Sequence, residues 1–186
     1  KQIASHIAQA LSQASPNHWF WRGKRVKLVD GFTFTLPDTP ENQRVFPQSV
    51  SQAPGLGFPI VRACVILSLA HACMEAMAIG PYAGPETGES ALLRQVLDGF
   101  QPGEVLLADR YFCSFWILAM LQVVGVDVCM RLHQLRKPDW SNVQWLGDHE
   151  YIDTWQRPQK AKWMGQSLYD SLPERLPIRI VRLEAI

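Results

Sequence analysis

Residues 104–132 read EVLLADRYFCSFWILAMLQVVGVDVCMRL, and this stretch decides the fold. The run VLLA, bounded by Glu104 and Asp109, has the length and apolar continuity of a buried strand. SFWILAMLQVV is apolar nearly throughout and too long for such a strand, yet it has about half the roughly 20 residues that a membrane span needs. It predicts a buried helix, with Gly125 as its stop. VDVCMRL returns as a strand. Strand, buried helix, strand is a crossover unit, which implies neighbouring parallel strands with a helix packed on the sheet.

The segments before it extend the sheet. GESALLRQVLDGF (88–100) places Leu92, Leu93, Val96, Leu97 and Phe100 on one helical face, with Gly99 as a stop. PIVRACVILSLA (59–70) and HACMEAMAIGPY (71–82) predict two strands joined near residues 70–73, with helix as the competing reading because Ala and Met favour it. VKLVDGFTFTL (26–36) is another strand, in which Asp30 and Gly31 mark a bend or bulge. Residues 37–59 hold five prolines and two glycines and predict a long loop. Ile3, Ile7 and Leu11 recur at helical spacing before Ser15, Pro16 and Asn17, which predicts a short leading helix.

The resulting order is β-β-β-α-β-α-β: an antiparallel meander followed by crossover units, hence an α/β mixed sheet of ribonuclease-H-like layout, with the first strand beside the fourth. After His133 the texture changes. RKPDWSNVQWLGDHEYIDTWQRPQKAKWMGQ (136–166) is rich in Trp, Lys, Arg and turn residues, and the closing RLPIRIVRLEAI alternates like a strand. The expected division is a leading helix and loop over 1–24, an incomplete ribonuclease-H-like core over 25–135 and a partial β-rich insertion over 136–186.

Composition excludes several classes. With 186 residues, 47% hydrophobic and 19% charged, the chain can bury a sizeable core and is not compositionally disordered. The first 15 residues lack the apolar core and cleavage site of a signal peptide. The expected location is therefore the cytoplasm. Cys64, Cys73, Cys113 and Cys129 form no C-x-x-C pair and sit among apolar neighbours, so buried, reduced thiols are expected and not a zinc site. A net charge of +1 neither requires nor excludes nucleic acid. Arg22, Lys24, Arg25 and Lys27 crowd the approach to Asp30 and read as a solvated face, while Glu86, Glu89, Asp98, Glu104 and Asp109 accumulate against Arg94.

Two acids stand out. Asp30 follows the apolar LV, and Asp109 follows VLLA, each on a rigid strand, and catalytic groups of α/β sheets concentrate at strand ends. The bland alternatives are an Asp-Gly turn for Asp30 and a carboxylate capping backbone N–H groups for Asp109. If the first strand lies beside the fourth, the two carboxylates come together and repel unless a cation neutralises them. Hard oxygen ligands suit Mg²⁺ or Mn²⁺. Asp38 reads as a turn residue, His71 and His133 as structural histidines, and any one of Trp140, Trp145, Trp155 and Trp163 as packing before a base-stacking wedge.

Taken in order, VDGFTFTLPDTPENQRVFP, IGPYAG, GESALLRQVLD and VLLADRYFCSFW resemble the front of the catalytic domain of bacterial insertion-sequence DDE transposases with a β-rich insertion, over roughly residues 25–135. The resemblance implies that Asp30 and Asp109 are the first two catalytic, metal-binding acids. It also implies a two-ion Mg²⁺ or Mn²⁺ site, metal-dependent cleavage and strand transfer at transposon ends, and double-stranded DNA (transposon ends and target) as partner. It further implies a bacterial, nucleoid-associated location with no membrane partner, and it is compatible with a homodimer of the full-length protein.

Two departures qualify it. Phe32 stands where a small hydroxyl residue often follows the Asp-Gly pair. The third acid, a Glu in a Tyr-x2-Arg-x3-Glu-x6-Lys helix, has no match, and Glu174 and Glu184 lack that context. The chain is thus expected to stop inside the insertion before the third acid, and by itself to be inactive. A phosphatase with an Asp nucleophile would need a second acid two residues on, where Phe32 stands. The rival from another class is a non-catalytic remnant that binds DNA or a full-length partner.

Overall fold

The structure is a computed structural model that describes residues 2–183; Glu184 and the last residues of the expected closing strand lie outside the described residues. Its elements run α1 (Gln2–Ala14), β1 (Val26–Thr35), α2 (Pro40–Val45), β2 (Ile60–Ser68), β3 (Met74–Pro81), α3 (Glu89–Arg94), β4 (Val105–Ala108), α4 (Phe115–Val124), β5 (Asp127–Met130), β6 (Gln144–Gly147), β7 (Glu150–Gln156), α5 (Gln166–Ser171) and β8 (Arg175–Val181). Five strands form a sheet in the order β3-β2-β1-β4-β5 and three form a second in the order β6-β7-β8. β1 pairs antiparallel with β2 and β2 with β3, whereas β1 with β4 and β4 with β5 are parallel. The larger sheet is therefore mixed, in an α/β arrangement.

The crossover around α4 forms for local reasons. The Ser114 hydroxyl accepts a hydrogen bond from the Ile117 N–H at 3.4 Å and caps the helix start, while Gly125 ends it at φ 82°, the left-handed conformation that glycine tolerates best. Phe115, Ile117, Leu118, Ala119 and Leu121 are all buried. Ile117 and Leu121 pack with Leu92, Leu93, Leu106 and Ile66 in the core against one face of the sheet. Phe115, Leu118 and Ala119 instead meet Trp155, Met164, Leu172 and Leu176, so this helix also anchors the smaller sheet.

Several expectations are corrected. The segment 88–100 is not one helix: α3 ends at Arg94 and a separate 3-10 turn covers Leu97–Gly99. The proline-rich loop contains α2, whose start carries its own signal, Thr39 accepting from the Asn42 N–H at 3.2 Å and Pro40 at the first helical position. In α1, Ala8 is buried while Ile7 and Leu11 remain half exposed, so these two large apolar residues did not pick the packed face. Cys129 is exposed, and Cys73 and Cys113 are only partly buried, which leaves Cys64 as the one fully buried thiol of the four; none is in a disulfide.

The basic run before Asp30 is not a solvated face throughout. Lys27 is buried and ion-paired with Glu104 at 2.7 Å and Glu75 at 2.8 Å, and it donates to the Gly99 carbonyl at 2.7 Å. Lys24 is ion-paired with Asp127, and the guanidinium of Arg25 lies 5.3 Å from the Phe20 ring centroid. These partners sit at the start of β1, away from Asp30. Among the described residues, no helix is long and apolar enough to cross a membrane.

Candidate functional site

The register of three strands builds the site. β1 and β4 run parallel with Val26 opposite Val105 and Val29 opposite Ala108, so one further step along each strand brings Asp30 alongside Asp109. There β4 ends, but β1 continues to Thr35 in unbroken pairing with β2, with Asp30 opposite Val65. The expected bulge at Asp30 and Gly31 is absent. Asp30 lies mid-strand, at the fork where β1 parts from β4. Alternation assigns the faces: Lys27 and Val29 point into the core, and Asp30, Phe32 and Phe34 are exposed on the opposite side.

Among the described residues, each carboxylate accepts one backbone hydrogen bond. The Gly31 N–H donates to Asp30 Oδ1 at 2.8 Å. The Tyr111 N–H donates to Asp109 Oδ1 at 2.7 Å, so Asp109 caps the 3-10 turn Arg110–Phe112. The capping alternative for Asp109 is therefore real, but it engages one oxygen and leaves the other free to act. The Asp-Gly turn alternative for Asp30 is not what forms, because both residues lie within a strand.

A third carboxylate, which sequence reasoning left among the general run of acids, lies beside the residue that follows Asp30. Glu89 opens α3, and its side chain fills the space beside Gly31: a Cβ built there would lie 2.2 Å from Glu89 Cδ. Gly31 has no positive φ, so the glycine is required here for room and not for backbone conformation. Two contacts fix the start of α3. Arg62 Nη1 donates to the Thr87 carbonyl at 3.0 Å, and Ser90 Oγ donates to the Tyr111 carbonyl at 3.3 Å, tying it to β2 and to the turn after Asp109. The sequence signal that could have found Glu89 is the pair of a strand glycine next to an acid and an acid at a helix start, which is weak without the register.

The electrostatics are unbalanced. Partial burial holds the Glu89 carboxyl above the usual carboxylate range; the positive charge of Arg62 pulls it back, and the negative charges of Asp109 and Asp30 push it further up. Three carboxylates against one guanidinium leave a local charge of −2 when all are ionised. Behind them Cys64 is held as a neutral thiol, its pKa pushed up to about 12 by burial first and then by Glu89 and Asp30. Among the described residues, no three His, Cys, Asp or Glu side chains converge closely enough to hold one ion between them.

The other candidates fall away from the pair. Asp38 accepts from Gln43 Nε2 at 2.7 Å within the loop after β1. His71 Nδ1 accepts from the Cys73 N–H at 3.3 Å in the turn between β2 and β3, and His133 Nδ1 accepts from the Leu135 N–H at 3.2 Å. Trp155 is buried and donates to Asp153 Oδ2 at 2.9 Å, and Trp163 is covered by the Arg94 guanidinium 3.8 Å from its centroid. Trp140 and Trp145 differ: both are exposed and their rings stack at 5.8 Å with an 8° interplanar angle. Beside the Asp109 turn a cleft of about 590 Å³ is lined by Tyr111, Cys113, Trp116, His133, Arg136 and Lys137 among others.

Comparison with known proteins bears on this arrangement. Transposase InsG for insertion sequence element IS4 of Escherichia coli (strain K12) is 22% identical over 167 residues, a match that covers 89% of this chain and 37% of that protein. The chain thus spans little more than a third of the length of this relative. A solved structure, the cryo-EM structure of a piggyBac transposase synaptic complex with hairpin DNA, is similar over 77% of this chain and 35% of that chain, with 8% identity and a TM-score of 0.42. The model of the transposase DDE domain family matches residues 21–181, taking in β1, β4 and both sheets, and the chain belongs to that family.

Proposed function

We propose that the chain is the part of a DNA transposase catalytic domain that carries two of its acids, with Asp30 and Asp109 as metal ligands on a ribonuclease-H-like core. The observation that carries this reading is the register Val29–Ala108, which aligns the two acids at the fork between parallel strands within a transposase DDE domain. On this reading residues 25–135 form the core and 136–186 the start of the β-rich insertion.

The donor set fits a hard divalent ion. Asp30 and Asp109 each have one oxygen committed to a backbone N–H and one available, and the surrounding charge is negative. Mg²⁺ or Mn²⁺ bound there would supply Lewis-acid activation of the attacking oxygen and charge stabilisation for phosphodiester cleavage and strand transfer. The protein's part is positional: β1 and β4 fix the two carboxylates to a packed core, so that little reorganisation accompanies ion binding. The cleft beside Asp109, with His133, Arg136 and Lys137, would seat a DNA strand through its phosphates, and the exposed Trp140–Trp145 stack offers a surface for an unpaired base. In the full-length protein this would act on double-stranded DNA at transposon ends. Without a third acid of its own motif, the chain by itself is expected not to nick DNA.

The test is Mn²⁺ binding to this chain, followed by the electron paramagnetic resonance signal of the free ion. Asp30→Asn and Asp109→Asn are each expected to weaken binding by at least about tenfold. Binding unchanged in both variants would overturn the metal-site reading. DNA binding that needs neither metal nor Asp30 would then favour the non-catalytic remnant.

A further inference from the structure

We infer that a single DNA strand crosses the ridge formed by Arg136 and Lys137, with one of its phosphates on Arg136 and another on Arg175. The inference rests on the reading that this chain binds DNA. It goes beyond that reading in giving the strand a second cleft, two named phosphate contacts and a single-stranded form.

Two clefts share this ridge. The cleft of about 590 Å³ beside the Asp109 turn and a second of about 580 Å³ are both lined by Arg136 and Lys137. The second opens on the smaller sheet, where Gln156 of β7 and Arg175 of β8 stand opposite each other in the antiparallel pairing and both line it. A strand that leaves the first cleft over the ridge enters the second and meets Arg175.

Arg136 is held in place but not neutralised. Its guanidinium lies 3.6 Å from the centroid of the Trp155 ring, and Trp155 is itself buried and donates to Asp153 Oδ2 at 2.9 Å. The long side chain is thereby fixed before any ligand arrives, which lowers the ordering cost of binding. Among the described residues, no hydrogen bond or ion pair engages the guanidinium. A fixed cation with its N–H groups free suits a phosphate, which it binds through two parallel hydrogen bonds.

The lining has the right sign of charge. Among the described residues that line the first cleft there is no carboxylate. The second cleft has two, Asp139 and Asp153, against Arg136, Lys137 and Arg175. Both acids are engaged locally: Asp139 accepts from Ser141 Oγ and from Asn142 Nδ2, each at 2.6 Å, and Asp153 accepts from the Trp155 indole. The aromatic side chains choose the form of DNA. Tyr111 of the first cleft is exposed, as is Trp140, which lies in sequence between Asp139 and Asn142 of the second. Ring faces stack on unpaired bases, whereas a duplex keeps its base faces covered.

The experiment follows binding of a short fluorescein-labelled single strand by fluorescence anisotropy, in EDTA and over a range of salt concentrations. It compares the parent chain with Arg136→Gln, Arg175→Gln and Arg44→Gln, and uses unlabelled single strand and unlabelled duplex of the same length as competitors. For single strands, each phosphate neutralised steepens the fall of log affinity with log salt by about 0.7. Arg136→Gln and Arg175→Gln are each expected to make that slope shallower by about 0.7. Arg44→Gln, on α2 and outside both clefts, is expected to leave it unchanged. A parental slope in either cleft variant overturns the proposal, and so does an equal loss in Arg44→Gln, which would make the attraction diffuse. Duplex that competes better than single strand overturns it as well. If Arg136→Gln melts below the parent, Arg175→Gln decides, because its side chain is exposed. No binding of either DNA form removes this inference and the DNA seating beside Asp109 together, whereas EDTA keeps the result independent of the metal-site reading.

Discussion

Gly31 and Glu89 occupy one another's space: the glycine on β1 has no side chain where the Glu89 carboxyl of α3 lies, and an ideal Cβ on residue 31 would approach Glu89 Cδ to 2.2 Å and Cγ to 2.4 Å. This contact couples the strand that carries Asp30 to the helix that carries a third acid.

Gly31→Ala is expected to swing the Glu89 side chain away, since its carboxyl is the free end of a flexible chain. The stability change should stay within about 1 kcal/mol, because alanine in a strand offsets the crowding by restricting the unfolded chain. Urea unfolding of the variant checks this, and a stability loss of several kcal/mol would show that the Glu89 side chain cannot move aside.

Thiol reactivity should separate the cysteines. Cys129 is exposed, whereas Cys64 is buried with its pKa pushed up to about 12. A thiol reagent at about pH 8 is expected to label Cys129 and to leave Cys64 untouched until denaturant is added. The same shift has a linkage consequence. The folded-state pKa of Cys64 lies above its ordinary value of 9.0, so its contribution to stability is fully present below pH 9 and is lost as pH rises toward about 12. Cys64→Ala should flatten that part of an alkaline stability curve.

Lys27 is a buried cation between Glu75 and Glu104. Lys27→Met would remove the buried cation that sits between the two carboxylates, and a loss of about 3–5 kcal/mol is expected in chemical denaturation. Adding Glu104→Gln should recover part of it, as interacting neighbours do not behave additively. Additive losses in the double variant would contradict the pairing.

Leu176 of β8 is buried against α4 together with Trp155 and Leu172. Leu176→Ala should cost about 2–5 kcal/mol. Because α4 contributes to both apolar clusters, far-UV circular dichroism and tryptophan fluorescence should report one shared transition. Two separated transitions would mean that the smaller sheet folds independently of the larger.

Most of the sheet was legible. The apolar run 105–108, the helix ended by Gly125 and the strand at 127–130 are local patterns whose burial leaves few alternatives, and all three form. The strand pair 60–68 and 74–81 forms as expected, although helix competed there on propensity. The errors arose where tertiary contacts override local signals. Ala8 is chosen over Ile7 because a small residue lets α1 approach β3 closely. Lys27 is drawn inside because Glu75 and Glu104, 48 and 77 positions away, meet there.

What the sequence determined by itself is the kind of sheet, the two acids that follow apolar strand runs, and the family those phrases resemble, because strand burial and crossover geometry are written in short-range patterns of polarity. What only the tertiary structure decided is which of these residues meet. The register of β1 on β4 aligns Asp30 with Asp109, and the packing of α3 brings Glu89 to Gly31 across 58 positions of chain. Such approaches depend on the closure of long loops against a shared core, and no local pattern encodes them.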